Sequence, residues 1–473
     1  MVIVRSAQLF NIAGRSLGEA GCRRSVKLPN APGERVGHVS GMLAEYRAKL
    51  VSAEAAVATI PSGAQVAMGM AVAEPPALLA ALAARVEHGG LDDLKLWYFH
   101  SLDHAAQTVL RYELLDRVRP HCMFLSPVER ALMQQATLAG ERLPIEFVPT
   151  AFSEAPRLLS ERVALGAFVV TVSPMDRHGW FTFGVGNDYG STAARCAKRL
   201  IVEVNPRMPR VFGDSLLHIS EVDAIVENDV PLLEAAAGKP APEDAIIARA
   251  VAEMIPDGAC LQMGIGSLPS AVCERLREHR DLGIHTELMT PGLAALVRSG
   301  AVTNRRKATY AGRSVFTFAM GDAALYDLLD DNPSFHAAPV NIVNDPQHIA
   351  KNPGVVSINA TLQVDLSGAC NSEHVLGRQY SGSGGQLDFV RGAAASAGGK
   401  SIICCPSTAK DGTVSRIVPQ LTGPVTTPRN DTHIVVTEFG CADLKGKSLR
   451  ERAEALIAIA HPAFHDALMQ AIP

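Results

Sequence analysis

A repeated segment constrains the fold of this chain more than any other feature of its sequence. Residues 60–70 read IPSGAQVAMGM, and residues 255–265 read IPDGACLQMGI. Each copy continues with a loop, a proline, an alanine- and leucine-rich amphipathic stretch and then a second apolar segment. Internal similarity on this scale predicts two similar domains in tandem.

The two copies differ at one chemically informative position. The second apolar segment ends in His100-Ser101-Leu102 in the first copy and in His285-Thr286-Glu287 in the second. Only the second copy therefore offers a carboxylate that can act as a nucleophile or as an acid or base. A glutamate at a strand end is often only a surface or ion-paired residue. The asymmetry between the copies nevertheless makes Glu287 the leading catalytic candidate.

Composition excludes several classes of protein. Of the 473 residues, 47% are hydrophobic and 19% charged, with a formal net charge of −4, as in ordinary soluble globular proteins. Lysine and arginine are scattered rather than gathered into a basic stripe, so we expect no nucleic-acid partner. Apolar runs are interrupted well before the length of a membrane span, so no membrane association is expected either.

Cysteine usage and the amino terminus bear on location. The nine cysteines include no C-x-x-C pair, which favours a reducing compartment over a disulfide framework. The start lacks a secretory signal, and we therefore predict a cytoplasmic protein.

His461 and His465 are spaced for a metal but have no obvious third ligand, so no metal site is expected. Residues 1–41 form an extension that is flexible, precedes the true start or acts as a transit peptide.

Apolar strand-like runs alternate with helical runs along both halves. This pattern predicts an α/β fold of two tandem, similar open domains with mainly parallel sheets and an active site in the cleft between them. We place the first domain at residues 42–226, a proline- and alanine-containing linker at 227–243 and the second domain at 244–473.

A glycine loop follows the repeated strand in the second half. Gly264, Ile265, Gly266, Ser267 and Leu268 precede Pro269 and a predicted helix over residues 270–277. Free amides at a helix start suit an anion or an oxyanion, although such a loop can also be a simple tight turn. The proline occupies the place of the third glycine of a dinucleotide fingerprint, which argues against a Rossmann site.

Two further segments of the second half are candidates for contact with a ligand. Residues 380–386 read YSGSGGQ, and this segment is either a hairpin turn or a wall of exposed amides against a ligand. Lys410 follows the predicted strand 401–405, where it either binds a ligand at the sheet edge or is a solvated loop lysine.

The ordered motifs resemble the acetyl-CoA hydrolase/transferase family, which includes 4-hydroxybutyrate CoA-transferases. The likeness runs from about residue 42 to the end. Its strongest segments are residues 263–272 (MGIGSLPSAV), 283–289 (GIHTELM), 356–368 (VSINATLQVDLSG), 379–392 (QYSGSGGQLDFVRG), 406–419 (PSTAKDGTVSRIVP) and 435–452 (VVTEFGCADLKGKSLRER).

The resemblance implies a CoA-transferase fold and a covalent mechanism. Glu287 would attack an acyl-CoA thioester and then carry CoA as a glutamyl-CoA thioester. The amides of Ile265 and of Gly384 or Gly385 would stabilise the oxyanions. By the same resemblance, residues 264–268 and Lys410 would lie along CoA, and Asn359 would orient Glu287.

Substrates and assembly follow from the same resemblance. Acyl-CoA and a small carboxylic acid would be substrates, no cofactor would be tightly bound, and the chain would form a homodimer or larger homo-oligomer. Candidate acceptors are acetate, butyrate, 4-hydroxybutyrate, itaconate and succinate. Arg378 would pair with the second carboxylate of a diacid, although an exposed arginine stacked on Tyr380 would look the same. Hydrolysis of acyl-CoA is the alternative activity.

Overall fold

The computed structural model describes residues 35–235, 238 and 241–472. Most of the predicted extension 1–41 lies outside these residues. Residues 35–41 belong to a helix, Arg35–Lys49, that crosses the predicted boundary at residue 42. No helix of the described residues combines the length and the apolar character that crossing a bilayer demands.

Helices cover both halves of the chain. In chain order they are α1 Arg35–Lys49, α2 Ala53–Ala58, α3 Pro76–Glu87, α4 Asp103–Ala106, α5 Pro127–Ala139, α6 Ala155–Glu161, α7 Gly190–Cys196, α8 Pro242–Glu253, α9 Ser267–Arg275, α10 Pro291–Arg298, α11 Ala323–Leu329, α12 Val340–Val343, α13 Pro346–Ala350, α14 Gln386–Ala395, α15 Leu449–Ala458 and α16 His465–Met469.

The first half contains a seven-stranded sheet with the order β4-β3-β2-β1-β5-β7-β9, in which every neighbouring pair is parallel. Every residue of β5 is buried, as expected where helices cover both faces of a parallel sheet. The strands of this half are β1 Gln65–Met68, β2 Leu94–Tyr98, β3 Val118–Cys122, β4 Glu146–Phe147, β5 Ala167–Val172, β6 Trp180–Thr182, β7 Leu200–Val204, β8 Leu216–His218 and β9 Ala224–Glu227.

The second half contains a six-stranded sheet with the order β11-β10-β16-β21-β25-β26, parallel except for the last pair. The strands of this half are β10 Cys260–Met263, β11 Gly283–Ile284, β12 Leu288–Met289, β13 Ser314–Phe316, β14 Phe318–Ala319, β15 Phe335–Ala337, β16 Val355–Ala360, β17 Gln363–Asp365, β18 Cys370–Asn371, β19 His374–Val375, β20 Arg378–Gln379, β21 Lys400–Cys404, β22 Thr408–Ala409, β23 Val414–Ser415, β24 Ile417–Val418, β25 Ile434–Thr437 and β26 Gly440–Asp443.

The sequence repeat is also a repeat in space. Strand β1 lies between β2 and β5, and strand β10 lies between β11 and β16, with parallel pairing throughout. The predicted α/β class with mainly parallel sheets is confirmed. Strand β9 ends at Glu227 and α8 begins at Pro242, so these two elements flank the predicted linker 227–243.

Helix α9 begins earlier than the sequence pattern predicted. It starts at Ser267 rather than at residue 270, because Gly266 precedes it with a φ of 124°, a conformation that glycine adopts readily. Pro269 then lies in the first turn, where its missing N–H costs nothing.

The two halves pack closely along a segment of the second half. Gly186 forms a β-bridge with Phe318, and Gly213 forms one with Ala337. The amide of Phe152 donates to the carbonyl oxygen of Gly384 at 3.1 Å. The last of these contacts joins the glycine-rich segment 381–385 of the second half to the first half.

Candidate active site

Glu287 lies between β11 and β12, at the carboxyl edge of the second sheet. Its carbonyl oxygen accepts hydrogen bonds from the amides of Thr317 at 3.0 Å and Phe318 at 3.2 Å. Its backbone is therefore fixed by the neighbouring strands, and its partly buried side chain points to a cavity. In α/β sheets, ligands bind beyond the carboxyl ends of the strands.

Two donors hold the carboxylate of Glu287. The side-chain amide of Asn344 donates to Oε2 at 2.6 Å, and the backbone N–H of Gly385 also donates to the carboxylate. The approach of Gly385 is so close that a Cβ there would lie 2.0 Å from Oε2. Glycine is thus required at residue 385 by lack of space.

Burial raises the pKa of the Glu287 carboxyl to about 7, and the negative charge of Asp388 contributes to the increase. The hydrogen bonds from Asn344 and Gly385 act in the opposite direction. A carboxylate with a raised pKa is more basic, and hence a better nucleophile once ionised, than one in water.

His285 fixes the segment that carries Asn344. Its Nε2 atom lies 2.8 Å from the carbonyl oxygen of Val343, the residue before Asn344. Burial lowers the pKa of His285 to about 3, so the ring is neutral and its Nε2–H donates to that carbonyl. His285 therefore has a structural contact, two residues from the candidate nucleophile.

A cavity of about 100 Å³ lies beside the Glu287 side chain. This is about three times the volume of a water molecule in the liquid, so the space suits a short acyl chain. Both halves of the chain line it. The first half supplies Met70, Phe99, His100, Phe124 and Phe152, and the second supplies residues that include Gly264, Ile265, Phe318, Asn359 and Gly385.

The predicted glycine loop lies at the mouth of this cavity. The amide of Gly264 donates to the carbonyl oxygen of Ile358 at 2.9 Å, whereas the amide of Ile265 has no backbone partner within the described chain. The Ile265 side chain is 60% exposed. Ser267 donates to Asp244 at 2.7 Å, and Leu268 is buried. Of the two loop residues that line the cavity, Gly264 and Ile265, the one whose amide lacks a hydrogen-bond partner among the described residues is therefore Ile265.

The second glycine segment is divided in its contacts. Gly384 has a φ of 56° and gives its carbonyl to Phe152 of the first half. Gly385 precedes α14 and gives its N–H to Glu287. Of the two amides predicted as alternatives, the one that contacts the carboxylate is therefore that of Gly385.

Two predicted site residues, Asn359 and Arg378, have surroundings other than those expected. The amide that orients Glu287 belongs to Asn344, because Asn359 forms a reciprocal pair with Gln262 at 3.0 and 3.2 Å. Arg378 is exposed on the hairpin strand β20 and does not line the cavity. The arginine stacked on Tyr380 is Arg130, whose guanidinium lies 4.4 Å from the ring centroid.

Lys410 is exposed at the tip of the hairpin formed by β22 and β23, with a φ of 49°. The cavity beside Glu287 does not include it. Among the residues that the structure describes, its ammonium group has no hydrogen-bond or ion-pair partner.

Sequence reasoning placed the active site in the cleft between the domains but missed Asn344 and the individual residues that the first half contributes to the cavity. Asn344 belongs to no motif and has no counterpart in the repeat. Met70 and His100, by contrast, are the repeat counterparts of Ile265 and His285. Aligning the two copies in sequence could therefore have identified Met70 and His100 as further candidates for the site that contains Glu287.

A glutamate held beside a cavity between two α/β halves is the arrangement expected of an enzyme active site. Family models for the acetyl-CoA hydrolase/transferase N-terminal domain and C-terminal domain match residues 38–234 and 321–472. The chain belongs to the acetyl-CoA hydrolase/transferase family.

Full-length relatives agree with this assignment. The succinyl-CoA:cyclohexane-1-carboxylate CoA transferase of Geobacter metallireducens is 43% identical over 90% of this chain and 95% of its own. The 4-hydroxybutyrate coenzyme A transferase of Clostridium kluyveri is 42% identical over 90% and 97%. The crystal structure of RipA from Yersinia pestis is 57% identical, with a TM-score of 0.89 over 91% of this chain and 98% of that one.

Proposed function

We propose that this protein transfers CoA from a short-chain acyl-CoA to a small carboxylic acid, with Glu287 as the covalent carrier. The observation that carries the proposal is the Glu287 carboxylate itself. It is partly buried, held by Asn344 and Gly385, and faces a small cavity walled by both halves. A positioned carboxylate beside a space for an acyl group suits covalent catalysis.

The first half-reaction charges the enzyme with CoA. An oxygen of Glu287 attacks the carbonyl carbon of the thioester, the C–S bond breaks, and CoA leaves as a thiolate. The product is a mixed anhydride between Glu287 and the acyl group. The thiolate then attacks the Glu287 carbonyl carbon, which releases the first acid and leaves a glutamyl-CoA thioester.

The second half-reaction reverses these steps with another acid. The acceptor carboxylate attacks the glutamyl carbonyl carbon and expels the CoA thiolate, which gives a new mixed anhydride. The thiolate then attacks the acyl carbonyl of the acceptor, and Glu287 departs as a carboxylate. The energy of the thioester is preserved because no step consumes water.

In this mechanism two amides would stabilise the two carbonyl oxygens of the anhydride. The N–H of Gly385 already donates to an oxygen of Glu287, so it suits the oxyanion formed when CoA attacks the glutamyl carbon. Ile265 also lines the cavity, and its unpaired amide suits the oxyanion of the substrate acyl group. Such donors act without reorganisation because the fold has already fixed them.

The outer part of CoA would extend away from Glu287. In this proposal it runs past residues 264–268, where Ile265 is 60% exposed, and its phosphates lie near the exposed Lys410. Binding energy from this distant portion can offset the cost of desolvating a carboxylate in the cavity.

The cavity lining favours transfer over hydrolysis. Most of its side chains are apolar, and the aromatic rings of Phe99, Phe124, Phe152 and Phe318 surround the reacting end. An apolar space of about 100 Å³ filled by an acyl chain leaves little room for the water that would cleave the anhydride or the thioester.

The test is a paired measurement of thiol release and of acyl-CoA masses. Purified protein is incubated with acetyl-CoA or butyryl-CoA, alone and with each of several carboxylic acids. We expect new acyl-CoA species to form only with an added acid and without net thiol release. Thiol release that is independent of added acid would instead identify a hydrolase.

The rate should depend on pH through the ionisation of Glu287. Only its carboxylate form is nucleophilic, so kcat/KM should rise about tenfold per pH unit below pH 7 and level off above it. An inflection near pH 4.5, the ordinary pKa of glutamate, would contradict the inference that the surroundings raise the pKa of Glu287.

Asp388 provides the matched control for this profile. Its carboxylate raises the pKa of Glu287 through its negative charge, and burial raises its own pKa to about 6. The inflection therefore reports a coupled pair. An Asp388→Asn variant removes the charge and should move the inflection to lower pH.

A further inference from the structure

His100 stands apart from the other polar side chains of the cavity. Gln262 and Asn359 bond to each other at 3.0 and 3.2 Å, and Gln386 donates to Thr427 at 3.0 Å. Within the described residues, the imidazole of His100 has no hydrogen-bond partner. It is thus a polar side chain of this lining, besides Glu287, that is available to meet a ligand.

The position of the His100 ring is nevertheless well defined. Its carbonyl oxygen accepts from the amide of Ala71 at 3.0 Å, which fixes the backbone beside Met70. The ring meets the edge of Phe124, with centroids 5.7 Å apart and planes at 63°. A ring so packed can present one nitrogen to the cavity without free rotation.

The charged groups that face His100 have partners of their own. Glu129 of α5 is buried and accepts from Ser101 and from the amide of Ser126. Arg130, the next residue, donates to the carbonyl oxygens of Leu125 and Tyr380 at 3.0 Å. Burial lowers the pKa of His100, while Glu129 raises it and Arg130 lowers it. The neutral ring retains one N–H donor and one acceptor.

The repeat shows that the two equivalent histidines differ in use. His285 in the second half donates its Nε2–H to the carbonyl oxygen of Val343 and so supports the segment that carries Asn344. His100 occupies the same place in the first copy but lines the cavity opposite the nucleophile. The first copy therefore lacks the carboxylate but has its histidine in the cavity lining, whereas the second copy has the carboxylate and a buried histidine.

We propose that His100 is a specificity-determining residue that hydrogen-bonds an oxygen on the acyl chain of the substrate. The preferred acids then carry a hydroxyl or a second carboxylate away from the reacting carboxyl group. This inference rests on the proposed CoA-transferase function. A simple alkyl chain would leave the donor of His100 buried without a partner, which disfavours that substrate about 10- to 100-fold.

The test compares acceptors that differ only in this oxygen. With acetyl-CoA as the donor, kcat/KM is measured for butyrate, 4-hydroxybutyrate and succinate. The wild type should prefer an oxygen-bearing acid over butyrate by about tenfold or more. In a His100→Leu variant this preference should fall by about 10- to 100-fold. The matched control is His88→Leu, an exposed helix-end histidine, which should keep the wild-type preference.

The pH dependence separates the two kinds of oxygen. Burial lowers the pKa of His100 below its ordinary value of 6.5, and protonated His100 attracts a second carboxylate but gains little with a hydroxyl, so the succinate-to-butyrate ratio should rise only as the pH falls below 6.5. The 4-hydroxybutyrate-to-butyrate ratio should stay level. Taking ratios cancels the titration of Glu287, which affects all acceptors alike.

A second variant keeps the proposal testable if His100→Leu does not fold. His100→Gln retains an amide donor but cannot take up a proton, so it should keep a preference for 4-hydroxybutyrate and lose any pH-dependent gain for succinate. A preference for butyrate in the wild type, or ratios unchanged in both variants, would overturn the role of His100. Failure of the wild type to transfer CoA to any acid would instead refute the proposed function.

Discussion

A Glu287→Gln variant is expected to lose CoA transfer by about 10⁴-fold or more while it still binds CoA. The amide keeps the shape of the side chain and can still accept from Asn344, but it cannot form the anhydride. Wild-type protein treated with acyl-CoA should gain the mass of a covalently attached CoA, and the variant should not. Turnover retained by the variant would exclude the covalent mechanism.

The same variant should unfold at a higher temperature than the wild type at pH 8. The folded-state pKa of about 7 lies above the ordinary value of 4.5, so ionisation favours the unfolded chain. This penalty is absent below pH 4.5 and develops as the pH rises toward 7. A neutral glutamine removes this penalty. Greater stability of the variant would therefore show that it loses activity because the carboxylate is gone, not because the protein unfolds. The matched control is Glu274→Gln on the exposed face of α9, paired with Arg277, which should change neither property.

Replacing Gly385 by alanine should reduce kcat by about 100-fold or more. The added Cβ would lie 2.0 Å from Oε2 of Glu287 and 2.1 Å from Nδ2 of Asn344, so both groups must move from their aligned positions. The φ of −99° at this residue suits alanine, and the effect is therefore steric rather than a matter of backbone strain.

Gly166 provides the comparison for this substitution. A Cβ there would meet its nearest atoms at 3.5 Å, an ordinary contact, and the residue lies at the start of β5 in the first half. Gly166→Ala should keep near-wild-type kinetics. Equal activity of the Gly385→Ala and Gly166→Ala variants would contradict the close packing of the amide against the carboxylate.

The sequence allowed the fold class to be predicted because its signals are local. Buried parallel strands appear as apolar runs such as Ala167–Val172, and the repeat marks the two halves. Helix boundaries were less secure. The pattern placed the start of α9 at residue 270, but the free φ of Gly266 lets the helix begin at Ser267. The conformational freedom of a glycine does not alter the periodic pattern of apolar residues from which a helix is predicted.

The candidate site was only partly predictable. Glu287, Ile265 and Gly385 belong to motifs, and the structure brings all three to one cavity. Asn344 was missed because its bond to Glu287 joins residues far apart in sequence, with no motif at its own position. Arg378 was given a role on charge alone, and an arginine on an exposed hairpin leaves the same sequence signal as one in a pocket.

The division of the cavity between the halves has a consequence for how the enzyme can diversify. Glu287, the proposed carrier of CoA, lies on one copy of the repeat, whereas Met70, Phe99 and His100 lie on the other. Substitutions in the first copy can therefore change which acids are accepted without touching the carrier. The repeat thus places the candidate nucleophile and much of the wall that would face a substrate on separate copies, whose sequences can vary independently.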